Sequence, residues 1–262
     1  MQNKKINHPI SFYTMRWKCA CSYDGTDFNG WQSQPNGNTI QDTIERRLFF
    51  LFRRPIRIHG SGRTDSGVHA NCQIFHFDAE WKHGDDALVK SINCGIPKSI
   101  RILSAEEADN NFHARFSAIG KQYEYFIING NTNPFNYKYA WSIGKRRLNI
   151  DLMNKAAKCF IGRHDFKNFG AKHDENVNKN TIKILNEAYF IQSGENIRFV
   201  TSGSGYLYKM VRIILGCLVQ IGLGNKSADF VLDGLSPSCD HANEIRKECA
   251  PPCGLFLKNV FY

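Results

Sequence analysis

Ile56-Arg57-Ile58-His59-Gly60-Ser61-Gly62-Arg63-Thr64-Asp65-Ser66-Gly67, with the apolar run Gln73-Ile74-Phe75-His76-Phe77 soon after it, is the stretch on which the reading of this chain turns. Its two ends are rich in β-branched and aromatic residues and predict strands at residues 56–59 and 73–77. Glycines in the connecting loop permit positive φ and let another backbone approach closely, so the loop can hold the Asp65 carboxylate at a fixed angle beside Arg63. A dinucleotide loop is excluded because Asp65 stands where the third glycine is needed, and an inward carboxylate repels a pyrophosphate. A phosphate-binding P-loop is excluded because no Gly-Lys-Ser/Thr follows. Two readings of these residues stay open: a structural turn, and a site built on a carboxylate.

Working outward, residues 16–23 read as a strand closed by Asp24-Gly25. Ile40, Ile44, Leu48, Leu51 and Phe52 recur at helical spacing, with Asn38 as N-cap. A helix over 85–93 and a strand over 100–103 follow. Beyond them the pattern predicts a strand over 121–128, a helix over 151–160 ended by Gly162, strands over 182–191 and 197–201, a long helix from Tyr206 and a last strand over 254–260. Strands interleaved with helices predict an α+β fold of two related mixed halves, with antiparallel sheets backed by helices and a basic cleft between them. The expected division is a disordered extension over 1–15, an N-terminal half over 16–112 and a C-terminal half over 113–262.

Hydrophobic residues make up 42% of the 262, which excludes wholesale disorder. Lys and Arg number 34 against 24 Asp and Glu, and the resulting +10 favours a polyanionic partner, nucleic acid before a membrane surface. The most apolar stretch, residues 206–223, carries Lys209 and Arg212 and is too short and too charged to span a bilayer. The polar first fifteen residues contain no secretory apolar core. Nine cysteines are scattered without metal-ligand spacing and read as reduced thiols of a cytoplasmic protein.

Tyr23-Asp24-Gly25-Thr26 with Gly30-Trp31-Gln32, then Gly62-Arg63-Thr64-Asp65-Ser66-Gly67-Val68-His69-Ala70 with Gln73 and His76-Phe77, resembles the TruA family of tRNA pseudouridine synthases. Phe112-His113-Ala114-Arg115-Phe116-Ser117-Ala118, Tyr123, Tyr125, Gly162, His164-Asp165-Phe166, Phe169, Met210-Val211-Arg212, Ala250-Pro251 and Gly254-Leu255 continue the resemblance in order. The resemblance implies the pseudouridine synthase fold, a homodimer, and isomerisation of uridine at positions 38, 39 and 40 of the tRNA anticodon stem-loop. It implies no cofactor and no metal. By the same resemblance Asp65 is the catalytic aspartate and nucleophile, Arg63 fills the gap left by the flipped nucleotide, Tyr123 stacks on the target base, and Arg212 is the ion-pair partner of Asp65.

The chemistry suits these residue types. Breaking the C1′–N1 bond calls for an ionised carboxylate, which a neighbouring cation favours. Extracting a base from a stem costs a few kcal/mol, which an inserted side chain and an aromatic platform offset. Tyr123 and Tyr125 share one strand face, so periodicity does not choose between them. Arg212, Gly216 and Gln220 form a stripe on an otherwise apolar helix, expected to face the basic cleft. Phosphate contacts are expected from Arg53, Arg54 and Arg57 and from Lys145, Arg146 and Arg147. His69, His113 and His164 read as hydrogen-bonding residues. Ser66 replaces the family's alanine, with a hydroxyl expected to tune the hydrogen bonding of Asp65, and Lys183, a substrate-binding candidate, replaces its arginine, which weakens a bidentate contact. The rivals are a non-catalytic RNA-binding module or chaperone and a nucleoside hydrolase.

Overall fold

The computed structural model describes residues 14–171 and 180–262. In chain order the elements are β1 (Met15–Tyr23), α1 (Ile40–Phe52), β2 (His59–Gly60), β3 (His69–Ala79), α2 (Asp85–Asn93), β4 (Ile100–Ala108), β5 (Gly120–Ile128), β6 (Trp141–Ser142), α3 (Ile150–Lys158), β7 (Gly162–Asp165), β8 (Ile182–Ser193), β9 (Asn196–Gly203), α4 (Met210–Gly222), α5 (Asp229–Leu235), α6 (Ala242–Lys247) and β10 (Leu255–Phe261). The expected extension over 1–15 lies outside the described residues as far as residue 13. Its end is corrected, since Met15 already pairs with Ala79.

All the strands belong to one sheet in the order β4-β1-β3-β10-β5-β9-β8-β7, with β2 added to β3 and β6 to β5. The expected separate sheets are therefore joined into a single, mostly antiparallel one. The join is β10, parallel to β3 through Phe256↔His69 and Leu257↔Ala70 and antiparallel to β5. Period-two alternation sends Trp17, Cys19, Cys21 and Tyr23 of β1 inward. They share a core with Ile40, Ile44 and Leu48 of α1 and Leu88 and Ile92 of α2. In the C-terminal half α4 is apolar almost all round and correspondingly buried. All nine cysteines are unpaired, with Cys19 and Cys21 fully buried. No helix among the described residues is long and apolar enough to cross a membrane.

Two sequence expectations shift for local reasons. The N-cap of α1 is Thr39, whose hydroxyl accepts from the Asp42 amide, while Asn38 takes a left-handed φ of 53° and donates to the Asp27 carbonyl. The strand expected over 56–59 shortens to β2. Side chains from α1 take up the backbone of Ile58 instead: its amide donates to Glu45 and its carbonyl accepts from Gln41.

Asparagines cover exposed strand backbone in both halves. Asn93 at the end of α2 accepts from the Ile102 amide and donates to the Ile102 carbonyl, both at 2.9 Å. Asn154 of α3 does the same for Phe190 of β8, at 2.7 and 3.3 Å. Each caps a row of groups that would otherwise invite pairing with another chain. Asn93→Ala and Asn154→Ala should each cost about 1 kcal/mol, the net worth of such bonds, read as a lower urea midpoint at unchanged slope.

Candidate active site around Asp65

The loop bearing Asp65 is seated by residues some forty positions earlier in the chain. Tyr23 brings its buried hydroxyl within 2.9 Å of Thr64 Oγ1, and the Trp31 amide donates to the Thr64 carbonyl at 3.1 Å. Gly30 lies under the loop with φ +83°, and a Cβ there would sit 2.5 Å from the Thr64 carbonyl oxygen. The loop closes on itself through the Val68 amide and the Asp65 carbonyl. Its other limb rests on Gln73, which accepts from the Ser61 hydroxyl at 2.6 Å and donates to the Gly62 carbonyl at 3.0 Å. The Tyr23–Gln32 stretch is thus the socket of the aspartate loop, which explains why the two motifs occur together.

Arg212 reaches this loop from α4. Its Nη1 donates to Asp65 Oδ2 at 2.8 Å, and its Nε donates to the Ala250 carbonyl at 2.8 Å. Both side chains of the pair are largely shielded from water. Tyr123 on β5 is 8% exposed, with the ring of Tyr206 edge-on at 5.0 Å. Burial, reinforced by the Asp65 charge, raises its phenol well above the ordinary range and keeps it neutral. Tyr125, its neighbour on the same face, is bound away from the site by a hydrogen bond to the Pro251 carbonyl at 2.7 Å. Arg63 is exposed and donates to the Gln32 side chain at 3.1 Å.

Other expectations are redistributed. The stripe Arg212-Gly216-Gln220 does not face an open cleft but packs under the 248–250 segment. A Cβ on Gly216 would overlap the Glu248 carbonyl, Gln220 donates to the Glu248 carboxylate at 2.8 Å, and only the Arg212 guanidinium reaches Asp65. The helix also starts later than Tyr206, because Lys209 takes a left-handed φ of 59° just before Met210. The Ser66 hydroxyl, expected to tune Asp65, donates to the Phe28 carbonyl at 3.1 Å. Lys183 lies on β8 opposite His164, half-buried, its stem approaching Gly205. Arg53 and Arg54 are exposed after α1, and Arg57 is engaged by Glu45 at 3.2 Å. Arg146 donates to the Ile143 carbonyl. His69 is a buried hydrogen-bonding residue, its Nδ1 accepting from the Gly25 amide at 3.1 Å. Among the described residues no group of three His, Cys, Asp or Glu side chains is arranged to hold a metal ion.

The sequence reading missed Lys121. It is the second residue of β5, two before Tyr123 and on the same face, and its Nζ donates to the Ser61 carbonyl at 2.7 Å from beneath the loop. Burial lowers this ammonium to about 8, with Arg115 adding to the effect. A lysine at an inward position of an alternating strand was the available signal.

Carboxylate and guanidinium thus meet on a mostly antiparallel sheet backed by helices. The family model for tRNA pseudouridine synthase matches residues 19–117 and 156–262, and the chain belongs to that family. Among curated proteins it is 40% identical to tRNA pseudouridine synthase A of Bacillus subtilis over 95% of this chain and 99% of the relative. It is 36% identical to the protein of that name from Exiguobacterium sibiricum, over 94% and 96%. The Akkermansia muciniphila protein of that name is 38% identical over 94% and 95%.

Gly30→Ala should cost about 1–3 kcal/mol of stability, from the left-handed backbone and the clash with Thr64, and should show a lowered urea midpoint. For Lys121 the folded chain releases its proton near pH 8 and the unfolded chain near 10.5, so the cost of burying the charge is fully present below pH 8 and is relieved as pH rises. The stability difference between wild type and Lys121→Met should therefore move in favour of wild type from pH 8 to 10 and stay flat from pH 6 to 7 in urea titrations.

Proposed function

We propose that this chain isomerises uridine to pseudouridine at positions 38, 39 and 40 of the tRNA anticodon stem-loop, with Asp65 as its catalytic carboxylate. The Asp65–Arg212 ion pair, in a chain of this family, is the observation that carries the reading. In the reaction the C1′–N1 bond breaks, the uracil turns while still enclosed, and C5 bonds to C1′. The C5 proton is lost and N1 is reprotonated, so no atom is gained or lost and no redox partner is required. An ionised carboxylate serves this chemistry by attacking C1′ or by stabilising cationic charge on the sugar. Arg212 occupies Oδ2, and we assign Oδ1 to the sugar.

Arg63, on the exposed shoulder of the loop, suits insertion into the stem as the nucleotide leaves it. Tyr123 supplies the stacking platform, and because it is buried in the RNA-free chain the entering base must open the space beside it. Arg53, Arg54, Arg57 and Lys183 supply phosphate contacts in this reading. Asp65 comes from the half spanning 16–112 and Arg212 from the half spanning 113–262, a division we retain as the organisation of the chain. We further infer a homodimer acting in the cytoplasm, where nine unpaired thiols stay reduced. Support for the dimer comes from the sheet face opposite the helices, where Phe126, Ile128, Ile191 and Phe256 line a groove of about 590 Å³ beside Glu124, Arg198 and Lys258.

Asp65→Asn should bind an anticodon stem-loop RNA with wild-type affinity and lose turnover by about 10³-fold or more, measured as pseudouridine formed. Release of free uracil by the wild type would instead establish a hydrolase, and RNA binding without product a binding module. Ile191→Asp should shift the protein from dimer to monomer in sedimentation velocity.

A further inference from the structure

The segment Phe112–Ala118 contributes none of the groups assigned above, yet it is built with unusual rigidity. His113 Nδ1 accepts from the amides of Arg115 and Phe116, at 3.1 and 3.3 Å, and the His113 amide donates to the Ser117 hydroxyl at 2.9 Å. Ala114 is held on both sides: its amide donates to His76 Nδ1 at 3.1 Å and its carbonyl accepts from the Tyr262 hydroxyl at 2.7 Å. From this pinned turn Phe116 projects into solvent, 76% exposed.

Phe116 is the outermost of a series of aromatic rings. Its ring centre lies 4.3 Å from that of His113, which lies 4.6 Å from His76, which is stacked at 5.1 Å on His59. Nδ1 of His76 and of His113 is taken by backbone amides, and the rings pack as a series of plates. The Arg115 guanidinium stands 5.7 Å from the Phe116 ring centre. After burial itself, the closeness of His59, Arg16 and Arg115 holds His113 below its ordinary range. His59 leads directly into Gly60 and the aspartate loop, and Lys121, under Ser61, feels Arg115. The rings therefore adjoin the limb of the loop that carries Arg63.

A flat apolar ring that is largely exposed, backed by His113 and with a mobile-stemmed guanidinium over it, matches a base and its phosphate. An apolar peptide side chain would instead need a concave pocket. We propose that Phe116 and Arg115 form a stacking shelf for an unpaired nucleobase of the RNA substrate, the base lying on Phe116 and its phosphate on Arg115. This rests on the reading of the chain as a tRNA-modifying enzyme. The shelf acts by π-stacking, so it accepts any of the bases and contributes affinity rather than sequence choice.

The test uses the full-length protein and a synthetic anticodon stem-loop RNA, with direct binding and turnover measured side by side. Phe116→Ala should raise both Kd and KM roughly tenfold while kcat stays within about twofold, and Phe116→Trp should restore wild-type binding. Arg115→Gln should reduce the slope of log affinity against log salt by about one. Phe116→Ala binding the RNA within twofold of wild type overturns the shelf, whatever the turnover. A wild type that makes no pseudouridine overturns the functional reading alone, because the binding arm still reads the shelf. Phe116→Ala that changes only the sedimentation of RNA-free protein assigns the ring to a contact between copies and also overturns the shelf.

Discussion

Asp65 and Arg212 are 147 residues apart, and what brings them within hydrogen-bonding distance is the C-terminal segment that sutures the sheet. β10 enters between β3 and β5, and the residues leading into it grip both sides of the site. The Ala250 carbonyl orients the Arg212 guanidinium while its amide donates to the Arg212 carbonyl, and the Pro251 carbonyl holds Tyr125. The Cys253 carbonyl lies 3.1 Å from the Nε2 of His69, just past the aspartate loop. Close approach of this segment to α4 is possible only because position 216 has no Cβ.

The ion pair itself is a poor stabiliser. Removing two charges from water costs several kcal/mol apiece, and the attraction between them repays this only with good geometry and further hydrogen bonds. Here the guanidinium has two fixed acceptors, whereas a well-packed apolar pair would serve folding equally well. The loop around Asp65 adds further cost through positive-φ glycines at 30 and 67. Expense concentrated on one carboxylate, with the surrounding core apolar and satisfied, fits a site maintained for chemistry rather than for stability.

Local signals in the chain were read correctly where the physics is local. Alternation along β1, β5, β8 and β9 and the helical spacing of Ile40, Ile44 and Leu48 reproduce the observed elements within a few residues. The errors lie where a distant partner decides. Residues 56–58 have strand composition, but Gln41 and Glu45 satisfy the Ile58 backbone from a helix. The Arg212-Gly216-Gln220 stripe is polar enough to suggest an open face, and the 248–250 segment, well beyond the helix in the chain, covers it. The merging of two sheets into one depends on a parallel pairing of β10 with β3, for which no short-range pattern exists. Within the site, motifs singled out Asp65, Arg63, Tyr123 and Arg212, and the structure brings Asp65 and Arg212 into contact. Lys121 was not singled out, because an isolated lysine acquires meaning only once the loop lies over it.

Net charge also takes on a more specific meaning in three dimensions. Away from the loop, cations are matched by carboxylates: Arg16 with Asp78, Lys18 with Glu106, Lys82 with Glu80, and Arg198 and Lys258 with Glu124. Around the loop, apart from Arg212 on Asp65, four cations meet neutral partners. Arg63 has the Gln32 amide, Lys121 the Ser61 carbonyl, Arg115 the Phe116 ring and Lys209 the Tyr208 ring. These four cations of the +10 surplus have no carboxylate as their named partner, and under the proposed function they would favour a polyanion on this side of the molecule. Under the proposed function, Asp65 is the acidic group set among them, and its charge would repel a phosphate backbone at the point assigned to the sugar.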